Sequence, residues 1–187
     1  MDERFSSIKR LVRMKIWSPK ITIALISIST LLLGSTAFAG GSSPSKPKAD
    51  AQPAEKQAIK IYNKGIDELR RSDYKAAASK FRLAIQKNGD FAEAHNNLAF
   101  ALRKQGSQEF DTALEHYQTA VDLQPEMAEA RMYRGVLYLA LDKTSLAEKD
   151  LEWLEANSPS LAKELQWVFV NGREKEPPHL FGVSEKM

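Results

Sequence analysis

Four carboxylates near the end of the chain are the strongest candidates for acid–base or metal chemistry. They are Glu148, Asp150, Glu152 and Glu155, and Lys149 lies between the first two. Grouped carboxylates can transfer protons or hold a hard cation such as Ca²⁺. Acidic residues beside a lysine on an amphipathic helix are more typical of a solvated surface. We therefore interpret the cluster as a solvent-facing surface, and we predict no metal site and no cofactor.

The three histidines form no recognisable catalytic arrangement. None has the His-x-x-x-His spacing, and the chain carries neither a Gly-rich phosphate loop nor a nucleophile elbow. His95 falls where a large side chain is expected, which favours a packed, hydrogen-bonded ring over a general base. His116 is predicted at the surface, and His179 lies near the C-terminus. The sequence also has no cysteine, which excludes thiolate catalysis. We predict no catalytic residue, so the protein is not expected to be an enzyme.

Three kinds of residue recur along the chain with a shared period, and they define the elements that would position any site. Each unit has a small residue, then an alanine, then a large apolar residue four positions later. The small residues are Gly65, Ala99 and Gly135; the alanines are Ala77, Ala113 and Ala147; the large residues are Phe81, Tyr117 and Leu151. Equivalent positions lie 34 or 36 residues apart. A period of this size is typical of stacked helical hairpins.

These positions resemble the tetratricopeptide repeat (TPR), in which a small residue and an alanine mark the two helices of each hairpin. The first unit matches at Ile61, Gly65, Tyr74, Ala77, Phe81 and Ala84. The second matches at His95, Leu98, Ala99, Leu102, Gly106, Phe110, Ala113, Tyr117, Ala120 and Pro125. The third matches at Arg131, Gly135, Tyr138, Ala147, Leu151 and Pro159. Lys64 and Arg134 replace the usual leucine, and the second unit has two extra residues around Ser107–Glu109. The resemblance implies an all-α fold, an α-solenoid of three TPR hairpins with a C-terminal capping helix.

The repeat register also predicts the domain boundaries. Residues 56–159 should hold three repeats, at about 58–91, 92–127 and 128–159, with Pro125 and Pro159 beginning new helices. A solenoid leaves an open apolar end, so we expect residues 160–171 to form a helix that covers it. That helix should end at Asn171–Gly172. Residues 172–187 are predicted to form a flexible tail.

The N-terminus has the pattern of an export signal. A basic stretch precedes the uncharged run Ile21–Leu33, and Ala37-Phe38-Ala39 suits a signal peptidase. We predict a signal peptide at residues 1–39, followed by a flexible linker at residues 40–55. The alternative is a retained membrane anchor, because the 19 uncharged residues 21–39 almost suffice to span a bilayer. Either reading places the protein outside the cytoplasm, in a periplasm or an equivalent lumen.

The charge distribution argues against nucleic acid as a partner. The formal net charge is +3, but residues 1–20 contribute six basic residues against two acidic ones. The rest of the chain therefore carries 21 basic and 22 acidic residues. A nucleic-acid-binding domain needs its positive charge on the folded part.

The resemblance implies a groove lined by the first helix of each hairpin, which suits an extended peptide or an amphipathic helix of a protein partner. Its predicted partner-binding residues are Tyr62, Asn63, Ile66, Asn96, Asn97, Phe100, Arg103, Met132, Tyr133 and Val136. Asn63 and Asn97 share one repeat position, and such amides can grip a peptide backbone whatever its sequence. The positions of the carboxylate clamp that chaperone-binding relatives use hold Tyr62, Ile66, Glu129 and Tyr133. We therefore expect no binding of acidic carboxyl-terminal tails.

The function that follows is a non-enzymatic adaptor for protein–protein interaction, which could support the assembly of an envelope complex. The alternative is a membrane-anchored structural subunit or assembly factor of a larger complex, with residues 21–39 retained. Self-association is a further expectation, because an exposed stack end can pair with a second copy.

Overall fold

The computed structural model describes residues 51–174 and residue 186. The predicted signal peptide or anchor, and the linker before residue 51, lie outside these residues. The described part folds into seven α-helices and contains no β-strand. None of these helices is both long enough and apolar enough to cross a bilayer.

The helices form three consecutive hairpins and one further helix. The first hairpin pairs α1 (Ala51–Arg70) with α2 (Tyr74–Lys87), the second pairs α3 (Ala92–Gln105) with α4 (Phe110–Leu123), and the third pairs α5 (Ala128–Ala140) with α6 (Thr144–Asn157). The last helix is α7 (Pro159–Asn171). The extra residues of the second hairpin form a 3₁₀ turn at Ser107–Glu109, between α3 and α4. The α-solenoid of TPR hairpins that the repeat period predicts is confirmed.

Helix α1 begins at Ala51, whereas the sequence pattern placed residues 51–55 in a flexible linker. The early start has a local cause. Alanine, glutamate, lysine and glutamine favour helix, and Pro53 lies in the first turn, where its missing N–H breaks no helical hydrogen bond.

The two prolines behave differently. Pro159 is the first residue of α7, as expected, and its fixed φ suits that position. Pro125 lies in the turn between α4 and α5, three residues before α5 starts at Ala128, so the expectation that it begins a helix is wrong.

Two glycines mark the closest approaches between helices. A Cβ atom on Gly65 would lie 2.6 Å from the Phe81 ring, so the first hairpin closes tightly because this position has no side chain. A Cβ on Gly135 would lie 2.6 Å from Cδ2 of Leu165, on α7. The third hairpin's glycine therefore accommodates the last helix rather than the partner helix of its own hairpin.

Helix α7 covers the end of the stack by packing against α5 and α6. Its inner face buries Leu161, Ala162, Leu165, Val168 and Phe169. Trp167 and Val170 on its outer face remain 40% exposed. The helix ends at Asn171, and Gly172 adopts the left-handed conformation with φ of 67°, as the Asn-Gly pair predicts.

Candidate partner-binding groove

The ten predicted groove residues all lie on α1, α3 and α5, the first helices of the three hairpins. We call the surface that carries them the groove face. Eight of the ten are buried: Tyr62, Ile66, Asn96, Asn97, Phe100, Met132, Tyr133 and Val136. Asn63 and Arg103 keep partial exposure as whole residues, although the Arg103 side chain beside Glu174 is only 8% exposed. The polar chemistry that the groove face can offer a ligand is therefore concentrated at these two residues.

Asn97, predicted to bind a peptide backbone like its repeat equivalent Asn63, has its side-chain amide engaged within the fold. Its Nδ2 donates to the Tyr62 hydroxyl at 2.8 Å, and its Oδ1 accepts from Asn96 Nδ2 at 3.1 Å. A buried amide that lost these partners would cost its full desolvation penalty, so the side chain is held within the fold. Burial, reinforced by the negative charge of Glu93, raises the pKa of Tyr62, which keeps the hydroxyl neutral. Of the two equivalent amides, only Asn63 keeps partial exposure to solvent.

The Asn63 side chain binds the main chain of Lys186, which lies 123 positions later in the sequence. Its Nδ2 donates to the main-chain oxygen of Lys186 at 2.7 Å, and the main-chain N–H of Lys186 donates to its Oδ1 at 2.9 Å. The ammonium group of Lys186 also lies 2.6 Å from a carboxylate oxygen of Glu93 on α3. The paired hydrogen bonds involve only main-chain atoms of Lys186, so they do not depend on which side chain that residue carries.

Arg103 forms a carboxylate site between two aromatic rings. Its guanidinium carbon lies 5.4 Å from the ring centre of Phe100 and 5.5 Å from that of Tyr133, within cation–π range. The guanidinium pairs with Glu174, and Lys104 Nζ lies 2.8 Å from the other carboxylate oxygen of Glu174. Burial alone would raise the pKa of Glu174, but the two cations outweigh it and lower that pKa below its usual value.

Four residues of this arrangement were missed by the sequence reasoning: Glu93, Lys104, Glu174 and Lys186. The repeat register assigns no groove position to the first two. Glu174 and Lys186 belong to the segment predicted to be a flexible tail, yet both bind groove residues. Partners 71 and 123 positions apart leave no periodic signal in the sequence.

A surface pocket of about 450 Å³ adjoins Asn63. Among the described residues, its lining includes Lys56, Ile59, Lys60 and Asn63 itself, on α1. Lys56 and Lys60 in this lining are exposed, so the pocket is open to solvent beside Asn63.

The four carboxylates near the end of the chain do not form one solvated surface. Glu148, Glu152 and Glu155 are exposed, but Asp150 is 2% exposed and pairs with Arg134 through two hydrogen bonds. The surface interpretation is therefore wrong for Asp150, because Arg134 takes the place of the usual apolar residue and needs a buried counter-charge. Within the described part of the chain, no three metal-binding side chains come together.

His95 is packed and hydrogen-bonded, as expected, but His116 is not a free surface residue. Nε2 of His95 lies 3.1 Å from the carbonyl oxygen of Gly89, and its Nδ1 lies 3.0 Å from Nδ1 of His116. A carbonyl only accepts, so neutral His95 carries its proton on Nε2 and its Nδ1 accepts from His116. The two rings can share this hydrogen bond only while at least one of them is neutral.

This pair should make the fold less stable in mild acid. Burial lowers the pKa of both rings, and the neighbouring charges of His95 and Arg82 help to lower that of His116 to about 4; Asp90 partly opposes the effect at His95. The unfolded chain then binds more protons than the folded chain between pH 6.5 and 4. The contribution is complete above pH 6.5 and is lost as the pH falls towards 4. We expect a loss of about 1–2 kcal/mol, since solvent screens a half-buried ring.

Urea unfolding followed by circular dichroism at a series of pH values would measure this effect. His116→Gln is the matched control, because the glutamine amide can still donate to His95 but does not titrate. An equally steep loss of stability in His116→Gln would show that groups other than His116 cause the acid sensitivity.

Comparison with known proteins agrees with the fold. The tetratricopeptide repeat family model matches residues 62–109 and 98–162. Among solved structures, the Arabidopsis OM64 TPR domain is 19% identical over 64% of this chain and 99% of that chain, with a TM-score of 0.58. The first TPR domain of Spaghetti (RPAP3), solved with an HSP90 peptide, is 22% identical over 61% of this chain and 91% of that chain, with a TM-score of 0.56.

The second TPR domain of Spaghetti, also solved with an HSP90 peptide, is 25% identical over 58% of this chain and 99% of that chain, with a TM-score of 0.55. These likenesses show the fold. Because the two family matches together span more than half of the sequence, and the hairpins lie where the repeat register requires, this chain belongs to the tetratricopeptide repeat family.

Proposed function

We propose that this protein is a non-enzymatic adaptor that holds an extended segment of a partner protein on its groove face. The observation that carries the proposal is the pair of hydrogen bonds between the Asn63 amide and the main chain of Lys186. In this pair the side chain binds a peptide group through both its donor and its acceptor, which supports a role in binding the main chain of a partner. The Spaghetti TPR domains, which share the fold, were solved with bound HSP90 peptides, and this supports a peptide-binding role here.

The groove chemistry also indicates what kind of segment would fit. Main-chain pairing at Asn63 tolerates any residue, whereas Arg103 and Lys104 favour a carboxylate side chain. Glu129 stands at a position where chaperone-binding relatives carry a basic residue, so a terminal carboxylate remains disfavoured there. The proposed ligand is thus an internal, extended segment rather than an acidic chain end.

We also propose that this adaptor works outside the cytoplasm. The basic stretch, the uncharged run and Ala37-Phe38-Ala39 support export, and a role in assembling an envelope complex is consistent with that compartment. The mass of the mature chain would separate this reading from an anchored structural subunit. Loss of residues 1–39 supports the exported adaptor, whereas retention of residues 21–39 supports the anchored subunit.

Site-specific photo-crosslinking in the native host would test the function. A photoreactive residue in place of Lys60, which lines the pocket beside Asn63, should capture a partner protein. The same probe in place of Leu83, which is 40% exposed on α2, should not. Adding Asn63→Ala to the Lys60 probe should reduce the adduct about tenfold, the effect of losing one to two hydrogen bonds. Identical adducts from both probes, unaffected by Asn63→Ala, would show that the groove face does not bind the partner.

A further inference from the structure

The groove face carries polar contacts from the protein's own C-terminal region at both of its partly exposed residues. Glu174 binds Arg103 and Lys104 on α3. Lys186 binds Asn63 on α1 through its main chain and Glu93 on α3 through its side chain. The residues that are best suited to hold a partner are therefore already engaged.

We infer that Glu174 and Lys186 act as an intramolecular ligand that competes with the partner, so that the groove is autoinhibited until a partner displaces them. This inference rests on the proposed function. It also specifies the partner's chemistry. A displacing segment should place a carboxylate at Arg103 and Lys104, a peptide group at Asn63 and a basic side chain at Glu93.

The contacts are those of a ligand rather than those of a packed core. Lys186 is held by a main-chain amide pair and one ion pair, and its side chain is 37% exposed. Glu174 is held by ion pairs and is 22% exposed. The Lys186 contacts lie at partly exposed positions, where contacts from another chain can replace them at little cost. The Arg103 side chain is only 8% exposed, so Glu174 can be exchanged only for another carboxylate, because a buried cation left unpaired is costly.

The covalent link gives these contacts a competitive advantage. A tethered ligand acts at an effective concentration in the millimolar range. A partner segment with similar contacts therefore has to bind more tightly, or arrive as part of a larger interface, before it can take the site. Weakening the internal contacts should raise the apparent affinity for any ligand of the groove face by about tenfold or more.

A peptide binding experiment with the full chain tests this inference. The probe is a fluorescein-labelled synthetic peptide of residues 173–187, and its binding is followed by fluorescence anisotropy. The released variant combines Glu174→Ala with Lys186→Ala. A matched control combines Glu152→Ala with Lys149→Ala, which removes the same charges from exposed positions on α6. We expect the released variant to bind the peptide about tenfold more tightly than the wild type and the matched control.

Adding Asn63→Ala to the released variant should weaken peptide binding again, which would assign the gain to the groove face. Equal affinity of the wild type and the released variant, or no binding by either, would overturn the inference. Photo-crosslinking at Lys60 separates this failure from that of the proposed function. A partner adduct that does not increase in the released variant contradicts autoinhibition alone. Absence of any partner adduct, with the peptide behaving as expected, contradicts the adaptor role alone.

Discussion

Asp150→Asn should lower the free energy of unfolding by about 3 kcal/mol. Asp150 accepts hydrogen bonds from Arg134 Nε at 2.9 Å and Nη2 at 2.5 Å, and both side chains are less than 10% exposed. Arg131 lies 3.7 Å from the same carboxylate. Removing the negative charge leaves two guanidinium groups without their counter-charge, one of them buried, and a broken buried pair typically costs about 3–5 kcal/mol.

Urea unfolding at pH 7 would measure the loss. Glu148→Gln is the matched control, because Glu148 lies on the same helix but is exposed, and its change should stay within about 0.5 kcal/mol. The double variant Arg134→Leu, Asp150→Leu should recover most of the loss, since apolar residues can replace a buried ion pair at little cost. A double variant as unstable as Asp150→Asn would show that the pair is not the cause.

Leu165→Ala should destabilise the fold by about 3 kcal/mol. Leu165 is fully buried on α7 and lies against Gly135 of α5, so the truncation opens a cavity between the end of the stack and the helix that covers it. Calorimetry or chemical unfolding would detect the change. Val170→Ala on the outer face of α7, where Val170 is 40% exposed, should change stability by less than about 0.5 kcal/mol.

A double-mutant cycle gives this prediction a specific signature. Gly135→Ala alone places a Cβ 2.6 Å from Leu165 Cδ2, so it should be unfavourable even though alanine favours helix. In the Leu165→Ala background the same methyl group enters the cavity, and Gly135→Ala should restore about 1 kcal/mol. Additive losses would contradict the close contact between α5 and α7.

The TPR hairpins were predictable from the sequence because the residues that define them lie close together in the chain and recur periodically. Ala77 and Phe81, four positions apart, lie on one helical face whatever surrounds them, and the same pair recurs in each hairpin. The capping helix followed from a similar argument, since an apolar stretch after the last repeat has an open end to cover. The start of α1 was placed late because the Pro and Ala residues near position 53 suit both a linker and a first helical turn.

The groove was predicted only in part. The repeat register placed all ten residues on the first helices. It could not distinguish an amide that is hydrogen-bonded within the core from one at the surface that can bind another segment. Asn63 and Asn97 are equivalent in the repeat, yet Asn97 is buried against Tyr62 and Asn63 holds Lys186. The difference depends on which neighbours reach each side chain, and the repeat pattern carries no information about that.

The amino-acid sequence by itself determined the helical hairpins, their order and the faces they turn to one another, because the 34- and 36-residue spacing repeats short-range preferences. Only the tertiary structure decided which polar groups are buried in pairs and which can meet a ligand. Arg134 meets Asp150, and His95 meets His116, across the two helices of one hairpin, whereas Arg103 meets Glu174, 71 positions away and beyond the end of α7. Burial and the neighbouring charges then set how much each pair contributes to stability, and both are properties of the assembled stack rather than of any segment within it.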